Sequence, residues 1–387
     1  MTESASGGAT LPAPLLGEEF MLLGPRGSRP FDAHELEAEI RSMWRSASAD
    51  GPGRGQAVYR AALANLVVPL DEPGLKHLTP VLVEVTRRHP SRLFLIETTS
   101  GVPAGPLHAR VTALCHLRAG GGGAVCSEQI VLQPGPGAEP LVPSAVRSLL
   151  VGELPVVLLD VHPGAPTPWR DELWSAADLS LGDSALGDDP EGALPLWDRL
   201  AREGTTRIHD LAWARLTPWR EVLAELFDEP ALGASLDTLE EVELSHGAGA
   251  DGGPSPPALL LAGWLAARLG MAPDARVEGG LRLRSGRGAA RLLFRRDSKD
   301  ATRSVSKVRM RAGAPHPLSL EIVRHGRDPR AAVRIEGPVT GRREVPFHYR
   351  EFAACIVGEI NRHEPNPTLL EAVTSARALG RAWAGLS

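Results

Sequence analysis

Two tryptophans and two arginines, Trp213, Arg215, Trp219 and Arg220, fall within eight residues of a chain whose aromatic content is only 4%. An arginine guanidinium is a planar cation with five donors, suited to gripping a carboxylate or phosphate in two-pronged fashion. Tryptophan and arginine are also the residues enriched where proteins grip each other. Asp210 sets a carboxylate just ahead of them. The chemistry on offer is recognition of an anionic or protein partner. Trp219, Leu223, Leu226 and Phe227 recur at helical spacing. Thr217 and Pro218 read as an N-cap followed by proline at the first helical position. A tryptophan-rich core helix with surface arginines fits the same pattern.

Other groups offer no catalytic constellation. Gly247, Gly249 and Gly252 match G-x-G-x-x-G, but Pro254, Pro256 and Pro257 delay the following helix, so its N–H groups start too late to close on a pyrophosphate. Ser184 follows Gly182-Asp183 without a nucleophile elbow and reads as a cap or turn residue. The twelve histidines show no H-E-x-x-H and no ligand spacing beside a carboxylate. No phosphate-binding G-x-x-x-x-G-K-[ST] occurs either. No cofactor and no metal are therefore expected.

These residues need elements to hold them. The pattern predicts a helix over Phe31–Ser46, a glycine-rich break at Gly51–Gly55, a strand over Val58–Val68, a helix over Gly74–Arg88 and a strand over Arg92–Thr98. Strand–helix–strand order implies parallel pairing. A hairpin of His108–Leu117 and Ala124–Leu132 turns at Gly120–Gly123, placing Cys115 opposite Cys126. Such a pair could close a disulfide, although a reducing compartment favours two free thiols. A helix at Pro143–Val151, a buried strand at Val156–Val161, a short helix at Leu173–Ala177 and a strand at Leu179–Asp183 complete a mixed α/β sheet.

Beyond a polar boundary at Gly187–Glu191, helices are expected at Leu194–Arg202, Pro218–Asp228 and Pro257–Leu269, with a strand at Leu239–Leu244. About five short strands from Val277 to Ile335 read as an antiparallel meander. Helices at Arg350–Arg362 and Pro367–Trp383 close the chain. The fold class is α/β: a disordered tail over 1–29, an N-terminal mixed α/β sheet domain over 30–186, and an α+β C-terminal domain over 190–387 with the meander and terminal helices.

The segment Asp210–Asp228 resembles the D-L-x-W-A-R-L-x-x-W-R signature of the OpcA family, glucose-6-phosphate dehydrogenase assembly proteins. Six further segments match in the same order: Arg60–Pro69, Arg88–Ile96, Cys126–Leu132, Val142–Val156, Ala176–Ser184 and Leu259–Gly270. Leu158-Leu159 stands where the family usually has a tryptophan pair, and Ala212 where it has asparagine. The resemblance implies a non-catalytic cytoplasmic factor that assembles or allosterically activates glucose-6-phosphate dehydrogenase in the oxidative pentose phosphate pathway. Its partner-binding residues would be Asp210, Trp213, Arg215, Trp219 and Arg220, with Glu128 and Gln129 in the Cys126–Leu132 segment. The dehydrogenase's own Arg-Ile-Asp-His-Tyr-Leu-Gly-Lys segment does not occur.

Composition is compatible with this. At 387 residues the chain can build two cores. A net charge of −5 argues against general nucleic-acid affinity, and no apolar run is long enough to span a membrane. The first residues lack the basic start and apolar core of a signal peptide. Three cysteines without a C-x-x-C fit a reducing cytosol. Only three lysines accompany the many arginines, the codon bias of a GC-rich bacterial genome. Arg282–Arg311 nevertheless holds eleven Lys/Arg against two Asp, while Arg170–Glu243 holds eighteen acids against six arginines. The basic run is either the solvated face of an antiparallel sheet or a phosphate-binding surface. Two alternatives thus stand beside the assembly factor: a dinucleotide-binding enzyme using Gly247–Gly252, and a sugar-phosphate sensor using Arg282–Arg311.

Overall fold

A computed structural model describes residues 20–23, 27–50, 57–98, 105–117, 123–161, 167–186, 193–247, 253–298, 304–326 and 328–385. The expected break at Gly51–Gly55 and boundary at Gly187–Glu191 lie outside these residues, as do 120–122 of the hairpin turn and 248–252 of the glycine loop. Two compact units form. The first comprises Met1–Asp160, Ala165–Leu181 and Phe352–Asn361; the second comprises Val161–Gly164, Gly182–Glu351 and Arg362–Ser387.

The first unit is built on a mixed sheet of strands β1 (Phe20–Leu23), β2 (Arg29–Pro30), β3 (Val58–Arg60), β4 (Asn65–Leu70), β5 (Arg92–Glu97), β6 (His108–Leu117), β7 (Ala124–Gln133), β8 (Val156–Asp160) and β9 (Leu179–Gly182). Its main path runs β1-β6-β7-β5-β4-β8-β9. β4 pairs parallel with β5 and β8, and β5 with β7. Both β4 and β5 are buried at every position, as parallel strands between helical layers must be. Numbered from β4, the run β7-β5-β4-β8-β9 follows the 3-2-1-4-5 order of a doubly wound nucleotide-binding sheet. Helix Glu72–Arg88 makes the first crossover.

Three expectations change here. Val58–Val68 is two strands, because β3 pairs with β7 while β4 lies between β5 and β8. Part of the expected tail over 1–29 is sheet, since the apolar run Phe20–Leu23 adds an antiparallel strand to β6 and Arg29–Pro30 pairs further along it. Residues 1–19 and 24–26 lie outside the described set. The helix at Phe352–Ile360, expected in the second domain, belongs to the first unit and packs on Glu72–Arg88.

The second unit begins with β10 (Arg207–Asp210) and continues with β11 (Leu239–His246), β12 (Ala272–Val277), β13 (Gly280–Ser285), β14 (Gly288–Arg296), β15 (Val305–Ala312), β16 (Leu318–Arg324), β17 (Arg330–Glu336) and β18 (Gly341–Pro346). Its large sheet runs β12-β13-β14-β11-β15-β16-β17-β18 and is antiparallel except where β11 lies parallel to β14. The meander is therefore longer than expected at both ends. Pro273 and Pro346 sit in the two edge strands, where proline is tolerated. Helices Pro256–Leu269 and Pro367–Ala384 pack closely against each other and against one face of the sheet. Their backbones meet at Gly263, where a Cβ would stand 2.4 Å from the Ala372 carbonyl oxygen. Phe294 from β14 meets Trp383 edge to face at 5.6 Å.

Candidate functional site

Two buried carboxylates, Asp210 and Asp183, anchor the tryptophan–arginine segment. Asp210 ends β10 and caps the short helix Leu211–Arg215, accepting the Trp213 N–H at 2.8 Å. Its oxygens also accept the Trp197 indole N–H at 2.8 Å, the Ser184 N–H at 3.0 Å and the Ser184 hydroxyl at 3.1 Å. Asp210 is fully buried, and that burial, followed by the neighbouring Asp183 carboxylate, pushes its pKa up to about 6. Asp183 is buried too and takes a two-pronged grip from Arg215, at 2.8 and 2.7 Å. A fork on a carboxylate is the geometry in which a guanidinium binds best.

Arg220 lies 3.5 Å over the Trp213 ring and donates to the Trp213 carbonyl at 2.8 Å and to the Thr217 hydroxyl at 3.0 Å. Stacking a guanidinium on an indole uses the ring's negative face. Trp219 is buried and packs edge-on against Phe347 at 4.9 Å. The structure thus joins Asp210, Trp213, Arg215 and Arg220 with Ser184 and Trp197, which the sequence pattern did not single out for this role, while Trp219 packs separately on Phe347. Asp210, Trp213 and Trp219 lie inside, while Arg215 and Arg220 are half-buried and internally bonded, where surface arginines had been expected. The capping expectation for Thr217 is corrected: Leu216 occupies that position. The preceding helix runs straight into the next, so the Leu216 N–H is already bonded to Ala212 and Trp213, and the Thr217 hydroxyl serves Arg220.

Glu128 and Gln129 lie in the first unit, on β7, and both are buried. Glu128 accepts from Arg92 at 2.7 Å, Arg60 at 2.6 Å and the Trp44 indole at 2.6 Å. Arg92, itself 3% exposed, also reaches Glu37 at 2.9 Å and the Leu149 carbonyl. Beside this cluster, β6 and β7 pair with Cys115 directly opposite Cys126, as the hairpin symmetry predicts. The two are joined in a disulfide, whereas free thiols had been favoured; Cys355 is a buried free thiol.

A doubly wound sheet places a dinucleotide's pyrophosphate at the first strand–helix turn and its ribose on an acid ending the second strand. Neither anchor fits here. The turn after β4 reads Leu70-Asp71-Glu72-Pro73-Gly74, and the Asp71 carboxylate caps the helix by accepting the Gly74 N–H at 2.7 Å. A negative group already occupies the place where a phosphate would bind. At the end of β5, Glu97 is buried and tied to Arg110 at 3.0 Å and Gln133 at 2.7 Å. Among the described residues, no group of three His, Cys, Asp or Glu could hold a metal ion. No helix among them is long and apolar enough to cross a membrane.

The basic run is one face of the second unit's sheet. Arg282, Arg291, Arg295 and Arg309 point away from the helices, paired with Asp274, Glu241 and Glu243. Residues 299–303 of the run lie outside the described set.

The glucose-6-phosphate dehydrogenase subunit N-terminal domain model matches residues 83–214, and the corresponding C-terminal domain model matches 206–373. The chain belongs to the OpcA glucose-6-phosphate dehydrogenase subunit family. An OxPP cycle protein OpcA of Nostoc punctiforme is 29% identical over 192 residues, covering 49% of this chain and 40% of its own length. The Synechococcus elongatus protein of the same description is 30% identical over 179 residues, covering 45% and 39%. The match therefore spans less than half the length of these curated relatives. In fold, the chain is similar to glucose-6-phosphate 1-dehydrogenase from Mycobacterium avium, with a TM-score of 0.51 and 12% identity over 84% of this chain and 93% of that one.

Proposed function

We propose that this OpcA-family chain is a non-catalytic subunit that binds glucose-6-phosphate dehydrogenase and favours its active conformation or oligomer. Family membership supports the partner. The observation that carries the non-catalytic reading is the pair of filled cofactor anchors, Asp71 on the helix N-terminus and Glu97 locked to Arg110 and Gln133. A protein with a dehydrogenase-like fold but a carboxylate in its phosphate turn cannot seat the hydride carrier in the usual way. A partner raises activity only by binding the active state better than the inactive one. Arg215 and Arg220 keep partly exposed guanidinium edges for direct contact. Asp210, Trp213 and Trp219, with Glu128 and Gln129 in the other unit, act on binding by fixing the shape of the surface above them.

Steady-state assays test this. The purified chain alone is expected to leave glucose 6-phosphate unoxidised with either nicotinamide cofactor. Added to the dehydrogenase of the same genome, it should raise the rate or lower the apparent KM. Turnover by the chain after rigorous removal of host dehydrogenase would overturn the non-catalytic reading.

A further inference from the structure

The sheet of the second unit has one face packed by helices and one face open, and the open face carries an ordered pattern of charge. Along one register row, Arg282 lies opposite Arg291, which neighbours Glu241, which in turn faces Arg311. In the next row, Glu243 faces Arg309, Arg309 faces Glu321, Glu321 faces Arg334, and Arg334 faces Arg342. The middle of the face is neutralised: Glu243 reaches both Arg295 and Arg309, and Glu321 reaches Arg309. On both flanks arginines outnumber acids: Arg282 and Arg284 stand against Asp274, and Arg330, Arg334 and Arg342 against Glu336 and Glu344.

Like charges placed directly opposite across strands are destabilising, and at Arg282/Arg291 and Arg334/Arg342 the face offsets them with Asp274, Glu241 and Glu336. The arginines are also well exposed, with Arg291 at 61% and Arg334 at 65% of side-chain area, so their ion pairs add little to stability. The excess is positive although the whole chain carries −5.

The pattern also selects the class of partner. Glu241, Glu243 and Glu321 stand between the arginines and would repel a phosphate backbone. The register rows place no aromatic side chain on the open face, since Phe294 points to the helices, so bases would have nothing to stack on. Interleaved charges of both signs instead fix the register of a protein–protein contact. We propose that this open face receives a flat, predominantly acidic surface of a partner protein, the dehydrogenase of the reading above, on which this inference rests.

The test uses the full chain and the immobilised dehydrogenase of the same genome, at low and at physiological salt. The double reversal Arg311→Glu with Arg342→Glu is expected to weaken association at least tenfold, mainly through a slower on-rate, and to flatten its salt dependence. Melting should stay as in the wild type. If the reversal disturbs folding, the neutral pair Arg311→Gln with Arg342→Gln should still weaken binding about threefold. Variants that fold and bind like the wild type would overturn the docking face while leaving the assembly reading intact. A wild-type chain that fails to associate at all would overturn both. Binding of a single-stranded oligonucleotide that the reversal abolishes would assign the face to nucleic acid and overturn the proposal.

Discussion

Arginine meets carboxylate in two very different settings within the second unit. At Asp183, Arg215 closes a two-pronged pair beside the fully buried Asp210, among tryptophans. On the open sheet face, Arg309 bridges Glu243 and Glu321 in contact with solvent. Removing one member of a buried pair leaves a charge that water cannot reach, whereas an exposed pair loses little. The contrast separates residues that hold the fold from residues free to meet another molecule, and it reverses the first impression left by residue type. The tryptophan–arginine segment has the composition of an interface but is mostly bonded inward. The plain basic run is the region turned outward.

The largest expected effect is at Asp210. Asp210→Ala leaves the Trp197 indole, the Ser184 hydroxyl and two backbone N–H groups without their acceptor, and should cost about 4 kcal/mol in denaturant unfolding. A loss below about 1 kcal/mol would break the distinction between the two regions.

The same residue gives the contrast a pH signature. Its folded pKa of about 6 lies above its ordinary value of 3.8 because burial and Asp183 both favour the protonated form. A raised pKa means the folded state binds the proton more tightly, so this contribution is full below pH 3.8 and is lost as pH rises through 6. The loss is about 3 kcal/mol. Asp210→Asn should remove that component from the stability–pH profile between pH 4 and 6, and a profile parallel to the wild type would contradict the assignment.

Arg215→Ala should cost about 2 kcal/mol, less than a fully buried pair because the guanidinium is a quarter exposed. Arg215→Lys should recover only part, since an ammonium cannot span both Asp183 oxygens. Full recovery by lysine, read as the melting temperature, would show that the fork is not the stabilising feature. Arg309→Ala should change stability by less than about 0.5 kcal/mol despite its two acidic neighbours.

Much of this was legible in the chain, for identifiable reasons. The apolar run Leu93–Ile96 within the expected strand and the symmetry of the Cys115–Cys126 hairpin are local signals, and both stand in the structure. The segment Asp210–Arg220 stands out because two tryptophans and two arginines fall within eight residues of so aromatic-poor a chain. Its orientation was not legible. Ser184 and Trp197 reach Asp210 from 26 and 13 residues away, and no local pattern reports which carboxylate a distant indole will choose.

The disulfide was judged from compartment rather than geometry, and geometry placed the sulfurs together. The glycine signature at Gly247–Gly252 drew attention away from the topological first turn at Leu70–Gly74. That turn holds a carboxylate where a cofactor-binding sheet would hold glycines, so only the strand order reveals what it replaces. Prolines in β12 and β18 hid the edges of the second sheet, because a proline tolerated at an edge looks in sequence like one that ends a strand.

The central claim, that this chain works by binding the dehydrogenase rather than by turning over substrate, is tested most directly by sedimentation velocity of the two purified proteins, alone and mixed at micromolar concentration. The account predicts a new, faster boundary containing both proteins. Two independent boundaries at their separate sedimentation coefficients, with dehydrogenase kinetics unchanged in the same mixture, would contradict it.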